Sequence, residues 1–233
     1  MVFCLFWTAH AESSPLDAAQ QAILVTTSDW NSVSGQLQRF ERKGNAFQAV
    51  GTPVPIVVGL HGMAWGKGLN AAQTTDPQKK EGDGKAPAGI FDLGEAMGYA
   101  PSAPTGSAWP YKTISDSTYC VDDPTFASYN QITVLPAGKA PTWKSAEKMK
   151  RKDDLYKWLV FVNHNTGKPA PGAGSCVFMH VWRSPEKGTA GCTAMAEGNL
   201  VEVLKWLKPE QHPRLVQLPE GEYKKLKGAW GLP

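Results

Sequence analysis

Two segments of the chain, residues 155–163 (LYKWLVFVN) and 175–182 (SCVFMHVW), are apolar at nearly every position, with GKPAPGAG lying between them. Neither can leave one face in water, so both read as central strands of a sheet covered on both sides. A Gly/Pro-rich turn joining two such strands points to a β-rich domain built around a deep sheet.

Weaker signals agree. Residues 22–27 (AILVTT) read as a strand. Residues 35–42 (GQLQRFER) alternate, and Lys43-Gly44-Asn45 turns the chain back into 46–50 as a hairpin. Residues 55–60 (PIVVGL) read as a buried strand and 214–218 (RLVQL) as a closing one. The stretches HGMAWGKGL and TTDPQKKEGDGKAPAGIFDL are dense in Gly, Pro and charge and read largely as loops, while residues 144–154 are helix-compatible. Leu200, Val203, Leu204 and Leu207 recur at i, i+3, i+4 and i+7, which predicts an amphipathic helix over 197–208, ended by Pro209. There is no internal repeat and no long linker. The expected architecture is mainly β, sandwich- or barrel-like, with a few helices, one of them directly after a cysteine loop, in a single domain over 12–233.

At the start, MVFCLFWTAHAESS carries an apolar run at 2–7 and a small-x-small pattern, Ala9-His10-Ala11. It reads as a signal peptide over 1–11, without the usual positive n-region, which would place the chain in the periplasm or outside the cell. No later stretch offers about 18 consecutive apolar residues, so no membrane span is expected. The net charge of +3 is spread along the chain with no arginine-rich run, which disfavours nucleic acid as a partner. No GxxxxGK[ST] loop is present, so phosphate binding is unsupported and no cofactor is implied. Past residue 11 the cysteines are Cys120, Cys176 and Cys192. An odd number in an oxidising compartment suggests one disulfide and one free thiol, hence a Cys120–Cys176 bridge; three buried reduced thiols are the alternative.

The stretch HVWRSPEKGTAGCTAM, residues 180–195, carries the chemistry. Along 175–182, Cys176, Phe178 and His180 share one face and Val177, Met179 and Val181 the other. His180 therefore reaches a sheet edge, and the loop 183–188 returns the chain to Thr189-Ala190-Gly191-Cys192. A cysteine there has unpaired backbone N–H groups nearby for an oxyanion, a helix dipole to favour its thiolate, and a glycine that lets substrate approach. His180 would take the thiol proton. Each residue also has a plainer reading, the histidine as a hydrogen-bonded core residue and the cysteine as a small hydrophobe. His61, His164 and His180 are scattered, with no HExxH or CxxC pairing, so metal is not expected. Asp122-Asp123-Pro124 reads as a turn rather than a catalytic carboxylate pair.

This motif resembles the signature of the L,D-transpeptidase catalytic-domain (YkuD-type) family, whose members carry a strand-borne His and a later S/T-x-G-C. HGMAWGKGL, KKEGDGKAPAGIF, YCVDDPTFASYN and GAGSCVFMHVW are similar to segments of exported, single-domain bacterial members, so the resemblance spans most of 22–218. It implies a cysteine that attacks the carbonyl between the L- and D-centres of a peptidoglycan stem peptide. The thioester is then resolved by an amine, giving a cross-link, or by water, giving trimming. By position, Cys192 is the nucleophile, His180 the base, and the backbone N–H groups of Gly191 and Cys192 the oxyanion hole. The resemblance also implies a histidine oriented by a backbone carbonyl. From the residues themselves, Arg183 close to His180 reads either as an electrostatic partner or as a solvated loop charge, and His164 and Asn165, ending the neighbouring strand, either line the cleft or simply cap that strand. Two positions depart from the family pattern: Ala194 stands where its motif has arginine, and Val181 where a glycine commonly follows the histidine. The expected partner is peptidoglycan or a related envelope polymer. An L,D-carboxypeptidase or amidase using the same pair is the near alternative, and a silent cell-wall-binding module the distant one. A papain-like protease would place its cysteine before its histidine, the reverse of the order here.

Overall fold

The computed structural model describes residues 14–233; the leader expected over 1–11 lies outside the described residues. The architecture is mainly β. In chain order the elements are β1 (Gln21–Thr27), β2 (Ser34–Lys43), β3 (Ala46–Val57), β4 (Met63–Trp65), β5 (Ala86–Gly98), β6 (Tyr111–Thr113), β7 (Thr118–Val121) and β8 (Gln131–Val134). Then follow β9 (Ala146–Lys148), β10 (Trp158–Val162), β11 (Phe178–Val181), β12 (Thr193–Met195), α1 (Glu197–Trp206), β13 (Arg214–Pro219) and α2 (Glu220–Trp230).

The large sheet runs β10-β11-β12-β3-β2-β1-β13-β5-β4, with β6 attached to β5. Because β10 also pairs with β5, the sheet closes on itself like a barrel. Closure places β11 between β10 (antiparallel) and β12 (parallel), so its backbone is paired on both sides. The pleat of this region sorts its side chains between two cores. Val177 and Met179 join the main core with β1, β5 and β13, whereas Cys176, Phe178 and Cys192 join a second core with Leu159, Tyr156 and Met149. That second core is capped by a small sheet, β8-β7-β9, and a Cys120–Cys176 disulfide ties β7 to the lead-in of β11.

Three parts differ from the sequence expectation. Residues 86–93, expected largely as loop, belong to the thirteen-residue strand β5, which is buried at most positions. Residues 144–154 are not helical but contribute β9, which pairs antiparallel with β7. The helix α2 was not foreseen; none of its side chains is fully buried, so no apolar stripe marks it. Helix α1 follows the cysteine loop, with β12 between, and buries Leu200, Val203 and Leu204. The RLVQL segment does close the sheet, as β13, parallel to β1 and antiparallel to β5.

Candidate active site

His180 sits one residue from the end of β11, in register with Leu159 of β10 and Ala194 of β12. Its Nδ1 lies 2.8 Å from the Val181 carbonyl oxygen. A carbonyl can only accept, so Nδ1 carries the ring proton and Nε2 keeps its lone pair. Burial pushes the imidazole down to about 4, which leaves it neutral near pH 7. Tyr156 packs edge-on against the ring at 5.2 Å between centroids and fixes its plane. The backbone-carbonyl contact is the orientation that the family resemblance implies.

Cys192 ends the loop that follows β11, just before β12. Its Sγ accepts from the Phe178 N–H at 3.4 Å and donates to the Cys176 carbonyl at 3.8 Å. The helix that was expected to lower its pKa begins only at Glu197, beyond β12, so its amides are not the first groups to follow the thiol. Burial dominates instead and pushes the thiol up to about 12. At rest, then, the pair is a neutral thiol and a neutral imidazole. Both line one cleft of about 400 Å³, within the size range of small-ligand sites.

The loop around Cys192 is locked by Thr189. Its hydroxyl donates to the Cys192 carbonyl at 2.7 Å and accepts from the Gly191 N–H at 3.0 Å. Of the two amides assigned to an oxyanion hole, that of Gly191 is therefore already engaged. The Cys192 N–H has no hydrogen-bond partner among the described residues.

The other predicted residues separate into two groups. Arg183 lines the cleft, its guanidinium 2.9 Å from Asp153 and half in solvent. His164 and Asn165 do not line it. His164 is buried, accepts from the Lys67 N–H at Nδ1 and donates to the Ala173 carbonyl from Nε2. The Asn165 amide bonds Ala170 and Gly174, so both residues pin the turn that leads into β11. A strand-end polar pair reads alike in sequence whether it faces a cleft or holds a turn. Asp123 forms the expected turn, accepting from Thr125 and from the Lys144 N–H, whereas Asp122 lines the cleft.

Four cleft residues were missed. Arg151 pairs in two-pronged fashion with Asp153 at 2.8 Å per contact, reaches Glu147 at 3.3 Å, and lies 5.1 Å over the Tyr156 ring. The Tyr156 hydroxyl donates to Glu147 at 2.6 Å, and burial raises the Glu147 carboxyl above its usual range. Lys79 arrives from the loop before β5. Ala194 is fully buried beside His180 and brings no charge, so Arg151 and Arg183 supply the guanidinium groups of this cleft.

The match to known families decides where this arrangement belongs. The L,D-transpeptidase catalytic domain, YkuD, matches residues 34–217. The chain belongs to that family. His180 and Cys192 both fall inside the matched span. No curated protein matches this chain. Among solved structures, the helical cell shape determining protein Pgp2 of Campylobacter jejuni is similar at 14% identity and a TM-score of 0.36, covering 86% of this chain and 48% of that one. Its K307A mutant gives 13% identity, a TM-score of 0.38, and coverage of 86% and 47%. This chain thus spans about half the length of those structures.

Proposed function

We propose that this L,D-transpeptidase-family domain is a cysteine acyltransferase that acts on peptidoglycan stem peptides in the bacterial cell envelope. The observation that carries the reading is the pairing, in one cleft, of a Cys192 thiol with a His180 whose tautomer leaves Nε2 basic.

In this reading the cleft's own groups carry each step. Sγ attacks an amide carbonyl while its proton passes to His180 Nε2, which suits a neutral pair because no buried thiolate has to exist beforehand. The oxygen becomes an oxyanion, with the Cys192 N–H as a donor. When the C–N bond breaks, His180 returns the proton to the leaving amine and a thioester remains on Cys192. An incoming amine then attacks the thioester carbonyl, gives its proton to His180, and releases the thiol with a new amide formed. Water in the same place would give a free acid instead. Arg183, half in solvent on the lining of the cleft, is suited to a carboxylate of a peptide donor.

Incubation of muropeptides with the protein and with Cys192→Ala, followed by mass analysis, tests the reading. Cross-linked dimers made by the parent and lost in the variant are the expected result. Shortened stems without dimers would reassign the chain as an L,D-carboxypeptidase with the same pair, and unchanged muropeptides would overturn acyl chemistry on this polymer.

A further inference from the structure

With the Gly191 N–H held by Thr189, an oxyanion beside Cys192 has one backbone amide and needs a second donor. Lys79 is the cation at that turn. Its side chain is only 5% exposed, and its Nζ donates to Asp83 at 2.6 Å and to the Lys80 carbonyl at 2.7 Å. An ammonium has three N–H donors, and the third has no partner among the described residues.

Two glycines make room for this side chain. A Cβ on Gly174 would stand 3.1 Å from Lys79 Cε and 3.2 Å from Cγ, so the stem runs past a position that must stay bare. At Gly191 a Cβ would lie 4.0 Å from Nζ, which puts the ammonium next to the residue that precedes the nucleophile. Asp83 in turn is fixed from three sides, accepting from Lys79, the Lys80 N–H and the Lys85 N–H. A buried, anchored ammonium costs desolvation free energy that a surface lysine avoids. The Asp83 carboxylate offsets part of that cost and holds the ammonium in place, with one N–H left over for charge that develops beside it.

We infer that Lys79 is a catalytic residue, whose free N–H supplies the second donor to the oxyanion formed when Cys192 attacks an acyl carbonyl. This rests on Cys192 being the nucleophile. Lys79 transfers no proton: it stabilises the negative oxygen while the S–C bond forms and releases it when the C–N bond breaks. The position fits a low-dielectric site, where a fixed cation needs no reorganisation as charge appears.

Two reactions at the same sulfur separate this role from others. Acylation of Cys192 by a carbapenem passes through an oxyanion; alkylation by iodoacetamide, a displacement at carbon, does not. Both rates are followed by intact mass in the parent, Lys79→Met and Lys79→Gln, the last keeping a donor for Asp83 should the methionine variant fail to fold. Acylation is expected to fall about 10²- to 10³-fold in Lys79→Met. Alkylation should fall by no more than about tenfold, the effect of one unit in thiol pKa. Lys79→Gln, with a neutral donor, should lie between parent and Lys79→Met in acylation. If both reactions slow by the same factor, Lys79 acts only through the thiol or the fold, and the inference is overturned. Unchanged acylation in both variants overturns it as well. A parent protein that alkylates but acylates with neither carbapenem nor muropeptide removes the nucleophile assignment first, and this inference with it.

Discussion

At the scale of single residues, the site is governed by burial acting on two titratable groups in opposite directions. Desolvation disfavours the charged form of each, so it lowers His180 to about 4 and raises Cys192 to about 12. The competent form, neutral imidazole beside neutral thiol, is therefore populated between those values. The base role proposed for His180 requires the unprotonated ring, so activity is expected above its pKa and should be lost as pH falls through about 4. A pH profile of kcat/KM should show an acid limb near 4 and no further rise between pH 6 and 8. A limb near 6.5, the usual histidine value, would mean that the ring is solvated in the free enzyme. The histidine and cysteine were legible because a motif names them. Lys79 was not: in DPQKKEGDGK it is one of several lysines in a polar run, and only its threading past Gly174 and Gly191 distinguishes it. His164 stayed open between cleft and cap for a related reason, since its hydrogen bonds to Lys67 and Ala173 come from chain segments whose approach no local pattern encodes.

At the scale of elements, the small sheet is what turns a strand end into a cleft. β7 ends beside Asp122, β9 carries Glu147, and the bend after β9 brings Arg151 over Tyr156. The Cys120–Cys176 disulfide clips this layer to β11 across 56 residues of sequence. Replacing both cysteines by serine should cost about 2–4 kcal/mol in a urea titration, since the unfolded chain regains the closed loop's freedom. The acylation rate of Cys192 should fall with it, because Glu147 and Arg151 stand on the released layer. A variant that keeps both stability and acylation would show that packing in the second core holds the layer to the large sheet without the covalent link. Charge patterning hid this layer: Glu147 and Arg151 at i, i+4 suggest a helix surface, yet they serve an antiparallel strand and the bend beyond it. β5 was hidden by its glycines. A Cβ at Gly98 would sit 2.3 Å from the Lys157 carbonyl, so that glycine marks the close approach of β10 rather than a turn. The amphipathic helix and the two apolar strands were legible because in each the local periodicity and the tertiary burial agree.

At the scale of the whole molecule, the decisive contacts join distant parts of the chain, and sequence patterns say little about such pairings. β13 enters the sheet between β1 and β5 with Leu215, Val216 and Leu218 fully buried, so the barrel cannot close until the chain is nearly complete. Gln217 makes this closure felt at the active site. Its buried amide accepts from the Thr193 hydroxyl, one residue beyond Cys192, and donates to the Pro87 carbonyl at 2.8 Å at the start of β5. One side chain thus links β12, β13 and β5 across the interior. Gln217→Leu would keep the approximate volume and leave a buried hydroxyl and a buried carbonyl without that partner, at about 1–3 kcal/mol for each group. Because the sheet is closed, the loss should lower the urea midpoint of the entire transition rather than free one strand, with tryptophan fluorescence and far-UV circular dichroism moving together. Divergent midpoints for the two signals would instead mean that β13 and β12 separate from the remaining sheet before it unfolds, and that the site rests on a part of the molecule able to melt by itself.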